Sequence, residues 1–211
     1  WDRAAKMIRE FDISYVVLND HVPHEALAKG KKPPRLTGQA LKAKRSPEAH
    51  LELLQRMHDG QEAALYDLPN WIAQFTNVLF ASHDDANKIQ RHQFSQMGVK
   101  IAEFPETKEA AVAAFELGET VILGAPNVMR GSSHKGNVSA RDLVAQNLCT
   151  ALASDYHYPS LLQAALQLAA EIGFENAWSL VASNPASVLG LNDRGSIGVG
   201  QRADFIVLNA D

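Results

Sequence analysis

Five short apolar runs, each followed by a longer stretch of helical character, decide what this chain can fold into. They are SYVVLND (Ser14 to Asp20), NVLFASH (Asn77 to His83), VKIAEF (Val99 to Phe104), TVILGA (Thr120 to Ala125) and LCTALASD (Leu148 to Asp155). None alternates strictly between apolar and polar residues, as expected of parallel strands buried on both faces. Strand followed by helix, repeated, implies a parallel sheet with right-handed crossovers. The helices between have readable ends. Ser46-Pro47 opens one, Thr107 caps another that stops at Gly118, and Ser139 with Asp142 forms a capping box. Pro159-Ser160 leads into LLQAALQLAAEI, closed by Gly173, and Asn184-Pro185 begins a short turn of helix ending at Gly190.

The polar residues gather at one end of these strands: Asp20 and His21, His83 with Asp84 and Asp85, Glu103, then Asp155 with His157. In a (β/α)8 barrel the C-terminal ends of the strands carry the active site, whereas an open doubly wound sheet uses only a switch-point crevice. The expected fold class is therefore α/β, an incomplete TIM-like (β/α)8 barrel holding about the last five strands, with the open sheet as the alternative. A complete barrel needs about 250 residues, so about three strands are expected to lie outside this chain, which opens mid-helix on Trp1. Residues 1–190 are assigned to the barrel, with a basic insertion at 27–45. In 191–211, Gly195, Gly198 and Gly200 punctuate two short β segments, read as a piece of a small β-sandwich.

Bulk composition narrows the class further. With 46% hydrophobic and 21% charged residues the chain is ordinary globular material, and a net charge of -4 gives no global field for nucleic acid or an anionic membrane. A single cysteine, Cys149, excludes an internal disulfide and suits a cytoplasmic setting. No apolar run reaches the roughly 18 residues of a membrane span.

Asp155 closes an apolar strand, where a carboxylate must be solvated, hydrogen-bonded or bound to a cation. It is either the cap of the following helix or a metal ligand or general base. Ser160 beside Pro159 is the better cap, which favours the functional role. His83 closes another strand beside two carboxylates and suits a zinc-like ion, with Asp84 or Asp85 capping the helix that follows. His21 is a further ligand candidate. His24 is not, because the proline between them forbids a regular helix that would align the rings. Glu103 fits a ligand, a partner of a ligand, or a cap. His50, His58 and His92 sit in helical stretches and read as surface histidines.

Two stretches look built for an anion. GAPNVMRGSSHKGN, Gly124 to Asn137, combines Arg130, His134 and Lys135 with the Gly131-Ser132-Ser133 backbone, a fork, point charges and a nest of N-H donors for phosphate. A plain irregular connection is the ordinary explanation of such a loop. Leu27 to Arg45 holds seven basic residues and no acidic one. It reads as a mobile solvated loop or as a lid for a highly charged phosphate ester.

Together these motifs resemble the amidohydrolase superfamily of metal-dependent barrel hydrolases, most strongly in SNPASVLGLNDRGSIGVGQRADFIVLNAD, Ser183 to Asp211. The resemblance implies that Asp155 is the carboxylate after the eighth strand, binding metal and serving as base to the attacking water. It places His83 as the fifth-strand ligand, Asp20-His21 at the fourth-strand position, and Glu103 where relatives carry a sixth-strand histidine. The superfamily's first-strand H-x-H pair has no counterpart here. ASHDDA, AEFPET, GAPNVMRGSSHKGN and LASDYHYPSLL, in that order, are similar to the branch serving phosphonate catabolism through the carbon-phosphorus lyase pathway.

That branch implies a ribose triphosphate substrate, release of pyrophosphate, and a basic loop that binds phosphate. The metal expected is a divalent transition ion, zinc first, with manganese and iron suiting the same donors. Partners expected are a small phosphorylated sugar and either the missing N-terminal portion or a second copy in a homo-oligomer, with no nucleic acid and no membrane. Two alternatives stand beside this reading: an amidohydrolase acting on a cyclic amide or nucleobase, and a non-catalytic fragment.

Overall fold

A computed structural model describes residues 1–131 and 137–209. In chain order these form α1 (Asp2–Glu10), β1 (Tyr15–Leu18), α2 (His24–Ala28), α3 (Leu36–Lys42), α4 (Pro47–Asp59), α5 (Gln61–Ile72), β2 (Leu79–His83) and α6 (Lys88–Gln96). Then come β3 (Ile101–Glu103), α7 (Lys108–Glu116), β4 (Thr120–Gly124), α8 (Ala125–Arg130), α9 (Ala140–Ala145), β5 (Ala151–Ala153), α10 (Ser160–Ile172), α11 (Phe174–Ser179) and α12 (Ser183–Val188). Residues 1–18 together with those from 77 onward make one compact unit, and residues 19–76 make a second. No described helix is long and apolar enough to cross a membrane.

In the first unit all five expected strands form, in the order β1-β2-β3-β4-β5, each parallel to its neighbour. A doubly wound sheet reverses its strand order at the switch point. Here the order never reverses, so this is a singly wound arc of barrel type. Ala81 and Ala102 are fully buried, while β4 alternates, with Val121 and Leu123 inward and Thr120 and Ile122 half-covered. The inward residues join Val128, Leu143, Leu152, Ala164 and Leu168 in the main core. Small residues let the helices close on the sheet. Ala110, Ala111, Ala113 and Ala114 of α7 are all buried.

Caps end the helices largely as their sequences direct. The hydroxyls of Ser46, Thr107 and Ser139 accept from Ala49, Ala110 and Asp142 N-H respectively. Two expected caps are different. Neither Asp84 nor Asp85 caps α6. Asn87 does, accepting from Gln90 N-H at 3.0 Å. Asp85 is instead fully buried, its Oδ2 accepting from Ser82 Oγ (2.8 Å) and from Arg91 Nη1 (3.0 Å). Arg91, also fully buried, gives Nη2 to the Val99 carbonyl at 2.6 Å and lies 3.1 Å through Nε from Glu119. A buried guanidinium needs its donors satisfied, and it takes the carboxylate that the helix start does without. Ser160 likewise donates to the His157 carbonyl at 2.5 Å, and α10 has no side-chain cap.

Residues 191–209 run as turns and extended chain, and the two expected β segments join no ladder among the described residues. An extended segment becomes a strand only against a partner with free N-H and C=O groups. Gly195 does tie the segment to α12. At φ 91° its backbone runs so close that a Cβ there would lie 2.9 Å from Ala186 Cβ and Ser183 Cα.

The second unit has its own small core of Leu27, Leu36 and Leu54, with Val22 and Leu51 packed against it. The basic stretch 27–45 is therefore not the loop its charge suggested, since it includes the end of α2 and all of α3. Its leucines at 27, 36 and 41 recur among the lysines, and two of the three are buried. His50 is also buried, on the inner side of α4.

Candidate active site

The parallel register builds the first feature. His83 and Glu103 are the last residues of β2 and β3 and are direct ladder partners, so their side chains leave the sheet side by side. His83 Nδ1 lies 2.6 Å from Glu103 Oε2, and both side chains are largely covered. The hydrogen bond to Glu103 raises the His83 pKa above its ordinary value. Burial opposes this, and the charges of Asp84, Glu103 and Asp155 reinforce it.

The chain turns sharply just past the strands. Asp84, Phe104 and Asp155 all adopt left-handed backbone, at φ 58°, 54° and 50°, a region few non-glycine residues occupy. Main-chain bonds hold two of these turns: Asp84 N-H donates to the Glu103 carbonyl (3.0 Å) and Phe104 N-H to the Ile122 carbonyl (2.9 Å). All three residues line a pocket of about 210 Å3 over the strand ends, together with Arg130, Asn137 and Tyr156. Two carboxylates thus face a pocket that also holds a guanidinium and a phenol. Arg130 Nη1 donates to Tyr156 Oη at 2.5 Å.

The N-terminal half of the Gly/Ser stretch is not irregular. Residues 125–130 form α8, ended by Gly131 at φ 71°, and Arg130 occupies its last turn. Asn127 accepts from Ala140 N-H (3.2 Å), and Asn137 donates to Glu106 Oε1 (3.1 Å), so the returning chain is pinned. Of the candidate residues, the first unit contains His83, Glu103, Asp155 and Arg130, and the charge of Asp155 reaches His83. His21 lies in the second unit. Ser132, Ser133, His134 and Lys135 lie outside the described residues.

Asp84, Phe104, Asn137 and Tyr156 were not singled out for this site from the sequence. Asp84 was read as a possible cap, and Tyr156 simply follows Asp155. Asp84 and Phe104 each directly follow a strand, which is the signal that points to them, whereas Tyr156 lies three residues beyond β5 and Asn137 thirteen beyond β4, with no such local mark.

The donors suit a divalent ion. In the tautomer that gives Nδ1-H to Glu103, the His83 lone pair is on Nε2, an arrangement common to metal-binding histidines. That Nε2 lies 3.7 Å from Asp84 Oδ1, against about 3.4 Å for two ligands sharing one tetrahedral zinc. Imidazole nitrogen with carboxylate oxygen fits zinc, manganese or iron.

In the second unit Asp20 is engaged elsewhere. Its Oδ2 lies 2.9 Å from His24 Nε2, and His24 Nδ1 lies 2.8 Å from His58 Nδ1. Burial works against ionisation of Asp20, but the Val22 N-H and His24 outweigh it and hold the carboxyl below its usual range. His24 and His58, dismissed on sequence grounds, thus form a polar cluster of their own.

Residues 150–211 match the model of the amidohydrolase family, and the chain resembles that family in its arc of parallel strands. It is 46% identical over 134 residues to the alpha-D-ribose 1-methylphosphonate 5-triphosphate diphosphatase of Escherichia coli K12, covering 62% of this chain and 35% of that protein. It is 30% identical over 156 residues to the imidazolonepropionase of Deinococcus radiodurans, covering 64% of this chain and 38% of that one. The chain therefore spans little more than a third of the curated relatives it matches. The crystal structure of an uncharacterized protein superposes with a TM-score of 0.54 at 17% identity, covering 70% of this chain and 43% of the other, a likeness of fold.

Proposed function

We propose that this chain carries the later strands of a metal-dependent hydrolase of phosphonate metabolism. Its substrate on this reading is alpha-D-ribose 1-methylphosphonate 5-triphosphate, cleaved in the cytoplasm to release pyrophosphate. The observation that carries the reading is the pocket in which Asp84 and Asp155 meet Arg130 and Tyr156. Carboxylates suit a cation, a guanidinium suits phosphate oxygens, and a phosphoric anhydride bound with a divalent ion needs both. The 46% identity to the Escherichia coli diphosphatase supports this substrate class.

His83, Asp84 and Asp155 would hold the ion, zinc by preference. When bound, the ion supplies Lewis acidity at phosphorus and acidifies the attacking water. Asp155 takes the proton of that water as it attacks. Glu103, its Oε2 already on His83 Nδ1, orients the imidazole. Arg130 neutralises charge on the phosphoryl oxygens and on the departing pyrophosphate, with Ser132, Ser133, His134 and Lys135 adding donors on the same segment.

The test supplies zinc or manganese to the purified protein and follows pyrophosphate release from the ribose triphosphate, with imidazolonepropionate as the competing substrate. Pyrophosphate release that drops at least a hundredfold in Asp155→Asn, a variant that should still fold, supports the reading. Turnover of the imidazolone alone moves the chain to cyclic-amide hydrolysis, and near-wild-type activity in Asp155→Asn removes that residue from the mechanism.

A further inference from the structure

One residue lining the pocket is apolar and conformationally costly. Phe104 follows β3 directly and sits at φ 54°, where a bulky side chain is a genuine outlier and persists only if its surroundings over-determine it. Its ring meets the His83 imidazole edge-on, with centroids 5.3 Å apart and planes at 69°. On its other side Cε1 stands 3.8 Å from where a Gly124 Cβ would be, at the end of β4 and the start of the helix that carries Arg130. The ring therefore touches the imidazole and approaches the start of the helix that carries Arg130, and it lines the same pocket as Asp84, Asp155 and Arg130.

Two ordinary explanations fall short. Packing alone does not call for left-handed backbone, since Phe104 is only half-buried and lies outside the main core cluster. Turn geometry alone would be met at lower cost by glycine or asparagine. An aromatic ring in this backbone supplies what neither can, an apolar surface against the imidazole and in the lining of the pocket.

We infer that Phe104 is a positioning residue that fixes the His83 ring in its Glu103-bonded orientation and forms an apolar part of the pocket lining. The inference rests on the hydrolase reading for its purpose, but not for its test. In metal-free protein, imidazole NMR reports the His83 Nδ1-H resonance and its exchange with water, with no ion and no substrate present. Phe104→Gly keeps the left-handed turn and removes the ring.

The expected result is Nδ1-H exchange at least tenfold faster in Phe104→Gly, with thermal stability unchanged or raised because the backbone strain is relieved. Zinc affinity, measured against a competing chelator, should fall about tenfold. Phe104→Leu, which keeps bulk, should recover part of both effects. An unchanged His83 resonance in Phe104→Gly overturns the inference, whether stability falls or holds, since the ring would then be packing only. Wild-type protein that binds no zinc would count against the hydrolase reading, while the metal-free His83 signal would still judge Phe104.

Discussion

Charge placement at single residues sets much of this chain's energetics. Arg91 is held at zero exposure between Asp85 and Glu119, and removing one member of a buried ion network leaves the others uncompensated. Arg91→Ala should cost about 3–5 kcal/mol in urea unfolding. A loss below about 1 kcal/mol would mean that water reaches the site. His83 provides the pH dependence. Its folded pKa is raised by Glu103, so the pair's stabilisation is fully present below the unfolded histidine value of about 6.5 and fades as pH rises through the higher folded value. In metal-free protein the stability gap between wild type and Glu103→Gln should therefore be wider near about pH 5.5 than near about pH 8.5. A gap that widens with pH would reverse the assignment.

Elements place reactive groups as well as cores. Cys149 precedes β5, packs against the main core, and gives Sγ to the Ala151 carbonyl at 3.4 Å. Burial pushes its thiol up to about 12, which disfavours the reactive thiolate at pH 8. Alkylation by iodoacetamide at that pH should be orders of magnitude slower in native than in urea-unfolded protein. Comparable rates would show β5 opening readily. The boundaries of these elements were legible because their signals are local. Thr107 and Ser139 cap where their spacing says, and Gly173 ends α10. Asp85 was misjudged because nothing local distinguishes a capping aspartate from one claimed by a buried arginine six residues on.

At the scale of the molecule, among the described residues β1 and β5 each pair on one side only, and Ile197, Val199, Phe205, Ile206 and Val207 are all exposed. Unpaired strand edges and apolar surface favour association. Sedimentation of the chain at micromolar concentration should show a dimer or a larger assembly of copies. A stable monomer with unchanged circular dichroism would show that the edges are tolerated. The second unit shows the same limit of sequence reading from the opposite side. Its lysines and arginines dominate composition, but the widely spaced Leu27, Leu36 and Leu54 are what fold it.

The sequence by itself determined the five strands, most helix ends, and the concentration of polar groups just past the strands, because each depends on periodicity or on a cap within four residues. It also pointed to His83, Glu103, Asp155 and Arg130 as the residues to examine. Only the tertiary structure decided the rest. The His83–Glu103 pair depends on which residues face one another across β2 and β3, and the burial of Arg91 on the approach of Asp85, Val99 and Glu119 around it. The pocket of Asp84, Phe104, Asp155 and Tyr156 depends on left-handed turns at strand ends far apart in the chain. Register, burial and backbone handedness are set by contacts between distant segments, and no local pattern encodes them.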